Sequence, residues 1–137
     1  MQNGTYCVTV CAKNGHHMFG EVQGGVMALS ENGEHVQQCI EFIETIYPTV
    51  LLDEYVVMPN HVHLLLVFLD YNVNPALKRV IGQYKSAVTK QIGFSPWQDD
   101  SYVSAIVTAR RNRMIRRYIR ENPARWEKDK FYSTECE

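Results

Sequence analysis

Two histidines, two positions apart in a strand-like run, constrain this chain more than any other feature. The run reads Tyr55-Val-Val-Met-Pro-Asn-His-Val-His-Leu-Leu-Leu. Side chains of a β-strand repeat every second residue, so the rings of His61 and His63 leave the same face. Two adjacent imidazoles can supply half of the ligand shell of a divalent metal. The alternative is a pair of hydrogen-bonded polar groups without a ligand, so a third ligand is needed to favour a metal site.

A second pair of residues near the C-terminus can complete such a site. Tyr118 and Asn122 are four positions apart, which places them one turn apart on one face of a predicted helix. An amide carbonyl is an acceptable ligand for Mg²⁺ or Mn²⁺. A tyrosine hydroxyl can attack phosphorus and form a covalent phosphotyrosine. Considered alone, Tyr118 fits better as a packing residue in the apolar stripe of this helix.

Hydrophobic periodicity predicts one α+β domain over residues 1–137, a length that suits a single core. The predicted order is strand, hairpin, helix, two strands, helix, strand, helix, which indicates an antiparallel sheet with helices packed on it. The predicted elements are a strand at Thr5 to Ala12, a hairpin within Met18 to Leu29, a helix from Glu31 to Tyr47, strands at Val50 to Met58 and His61 to Leu69, a helix at Leu77 to Ile92, a strand at Ser101 to Thr108 and a helix from Arg110 to Asn122.

Charge is distributed unevenly along the chain. Residues 1–60 hold seven acids and one base, whereas residues 61–137 hold thirteen bases and eight acids. Seven arginines lie between Arg110 and Arg125, with Glu121 as the one acid among them. A cationic field of this kind attracts phosphate. The alternative is a solvated helix face whose arginine stems cover apolar surface.

Composition points to a globular protein in a reducing compartment. Hydrophobic residues make up 45% and charged residues 21% of the chain. We find neither a secretory signal nor an apolar stretch of the roughly 18 residues that cross a bilayer, so we expect a cytoplasmic protein without a membrane partner. None of the four cysteines forms a Cys-x-x-Cys pair, and Cys7 and Cys39 are predicted as small core residues.

Several of these motifs resemble one known family. Met58-Pro-Asn-His-Val-His-Leu-Leu is similar to the signature of the HUH single-strand transposases, in which two histidines flank a bulky hydrophobic residue. This group includes insertion-sequence transposases with one catalytic tyrosine and the REP-associated tyrosine transposases. Gly82-Gln-Tyr-Lys-Ser-Ala-Val-Thr-Lys resembles the central helix of the family, Pro96-Trp97-Gln98 its Trp-Gln motif, and Tyr118-Ile-Arg-Glu-Asn-Pro-Ala-Arg-Trp its Tyr-Ile-x-x-Asn-Pro-x-x-Trp ending.

The resemblance implies a function and a role for each matching residue. The family fold is a ferredoxin-like or RRM-like sheet with helices. His61 and His63 would bind Mg²⁺ or Mn²⁺, and Asn122 would be the third ligand. Tyr118 would be the nucleophile on single-stranded or hairpin DNA, leaving a 5′-phosphotyrosine and a free 3′-hydroxyl. From charge and position we add DNA-backbone contacts by Lys85, Arg113, Arg116, Arg117 and Arg120. Some relatives share active sites across a dimer, so the resemblance also allows a homodimer.

One stretch departs from the family pattern. Relatives carry Tyr-x-acid-His-Ile-Ile-Arg before the tyrosine helix, whereas this chain reads Tyr102-Val-Ser-Ala-Ile-Val. The acid, the histidine and the arginine are all replaced. The leading interpretation is therefore a metal-dependent tyrosine transposase, and the second is a weakened or domesticated relative that binds DNA without cleaving it. A metal-binding domain without a nucleic-acid role is the third.

Overall fold

The computed structural model describes residues 4–69 and 75–132, so Cys136 lies outside the described part. Within these ranges the chain forms six strands and four α-helices in an order that agrees with the sequence prediction. The strands are β1 (Gly4–Ala12), β2 (Gly20–Gln23), β3 (Val26–Leu29), β4 (Val50–Met58), β5 (His61–Phe68) and β6 (Trp97–Ile106). The helices are α1 (Glu31–Glu41), α2 (Ile43–Ile46), α3 (Leu77–Ile92) and α4 (Ala109–Glu121), followed by 3-10 turns over Pro123–Lys128.

Four strands form one antiparallel sheet in the order β4-β5-β1-β6, and β2 pairs with β3 in a separate hairpin. Without the hairpin, the short α2 and the C-terminal α4, the element order is β-α-β-β-α-β. This order and the strand arrangement are those of a ferredoxin-like sheet, so the predicted fold class is confirmed. The prediction that β5 is a central strand is also confirmed, because β5 lies between β4 and β1.

The two faces of the sheet bury different sets of side chains. Even-numbered residues of β5, such as Val62 and Leu64, join the large core beneath α1 and α3. Leu65 instead packs with Ile106 and Ile119, so α4 covers the opposite face. Side chains alternate along a strand. His61 and His63 therefore share the face of Leu65 and lie beneath α4 and the turns that follow it.

Local signals in the sequence explain most of the element boundaries. The Ser30 hydroxyl accepts a hydrogen bond from the Gly33 amide at 3.0 Å and caps α1, as predicted. Gly93 ends α3 with a φ of 91°, a left-handed conformation that glycine adopts without strain. The first predicted helix is interrupted after Glu41, and α2 follows as a separate short helix.

β6 begins at Trp97, four residues before the predicted start at Ser101. Gln98, Asp99 and Asp100 obscure it in the sequence because they are polar. As the edge strand of the sheet, β6 leaves these side chains partly or fully exposed and needs no apolar alternation there. Of the helices in the described ranges, none has the length and apolar character needed to traverse a bilayer.

Candidate metal centre and nucleophile

The central strand β5 brings the two imidazoles together on the α4 face. The ring centroids of His61 and His63 lie 4.7 Å apart. The two residues are 0% and 2% exposed, so the pair is buried in the layer between the sheet and the C-terminal part of the chain. The predicted side-by-side arrangement of the two rings is thus present in the fold.

Hydrogen bonds at the Nδ1 atoms orient both rings. The Asn60 side-chain amide donates to the Phe131 carbonyl oxygen at 2.9 Å, so the Asn60 Oδ1 atom is the acceptor facing His61. His61 Nδ1 lies 2.8 Å from this Oδ1 and donates to it. His63 Nδ1 lies 2.8 Å from the Thr9 hydroxyl. The Nε2 atoms of both histidines are buried and have no hydrogen-bond partner among the described residues, which is the arrangement expected of metal ligands.

Asp129 is a third member of this cluster that the sequence analysis missed. Its Oδ2 atom lies 3.8 Å from Nε2 of His61. One ligand atom from each of His61, His63 and Asp129 lies within 4.8 Å of the other two. The signal in the sequence is weak, because the 3-10 turns after Pro123 break the helical spacing that could place this residue. A single acid between Lys128 and Lys130 was the only indication.

Asn122 lies at the same centre, at the C-terminal end of α4. Its Nδ2 atom donates a 2.7 Å hydrogen bond to Asp129 Oδ2. Its Oδ1 atom is buried without a hydrogen-bond partner among the described residues. This carbonyl oxygen, which the sequence analysis assigned as a metal ligand, is therefore available to bind a metal ion.

The Tyr118 hydroxyl reaches the same carboxylate from α4. It donates to Asp129 Oδ2 over 3.4 Å, and the Tyr118 ring lies 5.3 Å from the ring of His63. Burial and the nearby charge of Asp129 raise the pKa of Tyr118 to about 12. The phenol therefore keeps its proton at neutral pH.

Both imidazoles are neutral near pH 7. Burial lowers the pKa of His61 to about 3, against a smaller opposing effect of Asn122. Burial likewise lowers the pKa of His63 to about 3, and the neighbouring His61 adds to this shift. A neutral imidazole keeps the nitrogen lone pair that a metal requires.

The donor set fits a divalent cation. Two imidazole nitrogens and one carboxylate oxygen converge within 4.8 Å of one another, and Asn122, which contacts the carboxylate, adds a buried amide oxygen. Asp129 contributes the carboxylate of this set, and the groups that hydrogen-bond to it are neutral donors. Manganese accepts this mixed set more readily than magnesium, which prefers oxygen ligands.

Aromatic side chains cover the centre on one side, and a groove opens on the other. Phe131 lies 4.7 Å and Trp126 6.1 Å from the His61 ring, measured between centroids. A groove of about 340 Å³ begins at His63 and Tyr118 and continues across the sheet towards β6. This groove is the open approach to Tyr118, which is 37% exposed.

The five basic residues assigned to DNA occupy different environments. Arg116 forms a bidentate pair with Asp53 at 2.8 and 2.9 Å, and Arg120 pairs with Glu54 at 2.7 Å. Arg117 pairs with Glu121 at 3.1 Å.

Arg113 has no acidic partner in residues 4–69 and 75–132. Lys85 belongs to α3, across the sheet from the centre, and its ammonium donates to the carbonyl oxygens of Gln98 and Asp99. The fold thus brings Tyr118, His61, His63 and Asn122 together and leaves Lys85 apart.

Two solved structures with a similar fold are described as transposases. A solved REP-associated tyrosine transposase bound to a REP hairpin superposes with a TM-score of 0.73 at 20% identity, over 92% of this chain and 70% of that one. The chain has the fold of a tyrosine transposase. A crystal structure of a proposed transposase from Deinococcus radiodurans gives a TM-score of 0.58 at 18% identity, over 88% of this chain and 91% of that chain.

Sequence comparison adds a relative without an assigned function. A Haemophilus influenzae protein, described as uncharacterized, is 28% identical over 153 aligned positions, which cover 94% of this chain and 85% of the relative. No protein-family profile matches the chain.

Proposed function

We propose that this chain is a tyrosine transposase that cleaves and rejoins single-stranded or hairpin DNA. One observation carries the proposal: a single carboxylate oxygen, Asp129 Oδ2, lies 3.4 Å from the Tyr118 hydroxyl and 3.8 Å from Nε2 of His61. A nucleophile and a cation-binding pair thus share one contact. The transposase fold supports the same assignment.

The proposed reaction is a transesterification. The Tyr118 oxygen forms a bond to phosphorus while the bond from phosphorus to the 3′ oxygen breaks, and the phenol proton ends on the departing 3′-hydroxyl. The product is a 5′-phosphotyrosine, and attack by a 3′-hydroxyl reverses the step. Because one phosphodiester replaces another, no nucleotide cofactor is needed.

His61, His63, Asp129 and Asn122 would hold the metal, which we propose to be Mn²⁺ or Mg²⁺. When bound there, a divalent cation neutralises phosphodiester charge and favours the ionised phenol. Asp129 accepts the hydrogen bond of the phenol and orients its oxygen. Thr9 and Asn60 keep the imidazoles turned so that Nε2 faces the centre.

The proposal includes contacts of Arg113, Arg116, Arg117 and Arg120 with the DNA backbone. Arg113 is the most available of them, whereas the other three would share their guanidinium groups with Asp53, Glu54 and Glu121. Lys85 would also contact the DNA backbone, but only where the strand passes over the β6 edge.

The test is covalent capture of a labelled single-stranded oligonucleotide in the presence of Mn²⁺, read on a denaturing gel. We expect Tyr118→Phe to abolish the shifted band, because phenylalanine lacks the attacking oxygen. Tyr47→Phe, a change in the core on the opposite face of the sheet, is the matched control and should retain it. Capture that survives Tyr118→Phe would disprove the assigned nucleophile.

The second candidate is a protein that binds DNA without cutting it. The replaced stretch at Val103 and Ser104 favours it, since both residues line the groove beside Tyr118 and neither is titratable. The same gel separates the two functions. A binder gives a mobility shift under native conditions and no covalent band.

A further inference from the structure

The groove beside Tyr118 crosses three strands on the α4 face of the sheet. Tyr102 of β6 is paired with Thr9 of β1, and Thr9 is paired with His63 of β5. Neighbouring strands are about 4.8 Å apart, so Tyr102 lies roughly 10 Å from His63 across this face. The groove of about 340 Å³ thus leads from the candidate centre to the exposed edge of the sheet.

Two cations line the groove without an acidic partner. Arg111 and Lys130 both border it, and neither pairs with a carboxylate in the described ranges. The Arg111 guanidinium donates to the Ser104 hydroxyl at 3.2 Å, which holds it over the groove. Arg116 and Arg117, two neighbours on the same helix, are already paired with acids.

The electrostatic effect of Arg111 and Lys130 reaches the floor of the groove. Burial raises the pKa of the Cys7 thiol, and the positive charges of Arg111 and Lys130 both oppose that shift. Cys7 belongs to β1 and lines the same groove as both cations. An anion placed in the groove would therefore experience both cations at once.

An aromatic ring stands at the outer end. Tyr102 is 54% exposed, so one face of its ring is accessible to solvent. Its ring is supported from one side by Phe131, at 5.8 Å between centroids. An exposed ring next to unpaired cations is the combination that single-strand binding proteins use, with bases stacked on the ring and phosphates held by the cations.

We propose that this groove binds one nucleotide of single-stranded DNA beside the phosphate that Tyr118 attacks, with its base on Tyr102 and its phosphate between Arg111 and Lys130. The inference rests on the proposed function, because it takes Tyr118 as the nucleophile. It adds three residues that would set the position of the DNA strand and that are not part of the histidine and tyrosine motifs.

The test is equilibrium binding of a fluorescent oligothymidine of about ten nucleotides, within the usual range of single-strand sites. Binding is measured by anisotropy at several salt concentrations in EDTA, so that cleavage does not contribute. Arg111→Gln should weaken binding and reduce the slope of log affinity against log salt by about 0.7, the value for one phosphate contact on a single strand.

Tyr102→Leu should weaken binding about five-fold to a hundred-fold without changing that slope, since a base stack carries no charge. Tyr102→Phe keeps the ring and should bind as the unmodified protein does. The matched charge control is Arg79→Gln on α3, an exposed arginine of the opposite face, which should leave the slope unchanged. Thermal melting confirms that each variant is folded.

Equal slope changes in Arg111→Gln and Arg79→Gln would overturn the groove assignment, as would equal affinities of the leucine and phenylalanine variants at position 102. If the groove variants bind the oligonucleotide normally and Tyr118 still captures it covalently, the groove proposal alone fails. If groove-dependent binding is present and capture is absent, the proposed cleavage fails and the nucleotide site stands.

Discussion

Asp129 connects the two histidines to the candidate nucleophile through one carboxylate. It contacts Tyr118, Asn122 and His61 with the same oxygen, while its other oxygen accepts the Phe131 amide at 2.8 Å. The backbone bond fixes the carboxylate, so Oδ2 points to the centre. The charge of Asp129 is therefore available to a cation without a change of rotamer.

We expect Asp129→Asn to weaken Mn²⁺ binding by at least about ten-fold, because asparagine keeps the shape but removes the negative charge. Isothermal titration of the protein with MnCl₂ measures this without any DNA. Asp100→Asn on the exposed part of β6 is the control and should bind Mn²⁺ normally. Unchanged affinity in Asp129→Asn would remove this residue from the metal site.

The buried histidines predict how stability depends on pH in the metal-free protein. Their folded pKa values are about 3, well below the value near 6.5 in an unfolded chain. The unfolded state therefore takes up protons first as the pH falls below about 6.5. The free energy of unfolding should be insensitive to these groups above that pH and decrease below it, by up to about 1.4 kcal/mol per pH unit for each histidine.

Urea unfolding in EDTA at pH values between 7.5 and 5 measures this decrease. His63→Gln removes one of the two titrating groups and should make the decrease shallower. A stability that stays flat down to pH 5 would mean that the imidazoles are accessible to protons in the folded state.

Three of the four residues of the cluster could be predicted from the sequence, and the fourth could not, for a physical reason. His61 and His63 are set by the strand period and Asn122 by the helix period, and both periods can be read without coordinates. Asp129 lies beyond 3-10 turns that have no repeating pattern in the sequence. The burial of the rings depends on Trp126 and Phe131, which pack from the same irregular segment.

Among the elements, α4 is the one that positions the candidate nucleophile, and ion pairs hold this helix to the sheet. Few apolar residues of α4 pack against the sheet. Ile119 is the one fully buried side chain of this helix, and Ile115 is partly buried. Arg116 and Arg120 pair with Asp53 and Glu54 of β4, one helical turn apart. The two pairs fix the rotation of α4 and thus the direction of Tyr118.

We expect a double-mutant cycle of Arg116→Gln and Asp53→Asn to give a coupling energy of about 1 kcal/mol at low salt, because this pair is bidentate and partly buried. Chemical denaturation measures it. The exposed Arg117–Glu121 pair on the same helix is the comparison and should give about 0.3–0.5 kcal/mol. Equal couplings would mean that the pairs with β4 do not anchor the helix.

Elements with strong periodicity were predicted well, and elements without it were not. The predicted helix from Leu77 to Ile92 has the observed bounds, because its apolar stripe and its terminal glycine agree. The start of β6 was wrong by four residues because an edge strand needs no alternation. The break between α1 and α2 has no explanation in the residues around Phe42.

At the scale of the whole molecule, one chain contains the complete constellation. Tyr118 reaches the histidines of its own chain, so a second copy is not required to bring nucleophile and imidazoles together. Whether the protein forms the expected homodimer is a separate prediction. We predict that Tyr118 acts together with the histidines of its own chain.

We expect that a mixture of His63→Ala and Tyr118→Phe chains captures no oligonucleotide, because neither chain has both a nucleophile and an intact histidine pair. Covalent capture on a denaturing gel measures this. Each variant mixed with the unmodified protein should still give the band, which excludes inhibition by the variant. Recovery of capture in the mixture would indicate that the tyrosine of one chain serves the histidines of another.

The position of Asp129 near the C-terminal end of the described chain has a consequence for biosynthesis. All four strands of the main sheet are translated before Tyr118 and Asp129. A polypeptide interrupted just before residue 118 therefore contains the residues of all four strands but lacks the proposed nucleophile and the carboxylate beside it. If the proposed function is correct, such an interrupted product would be unable to cut host DNA, and cleavage would require synthesis through Asp129.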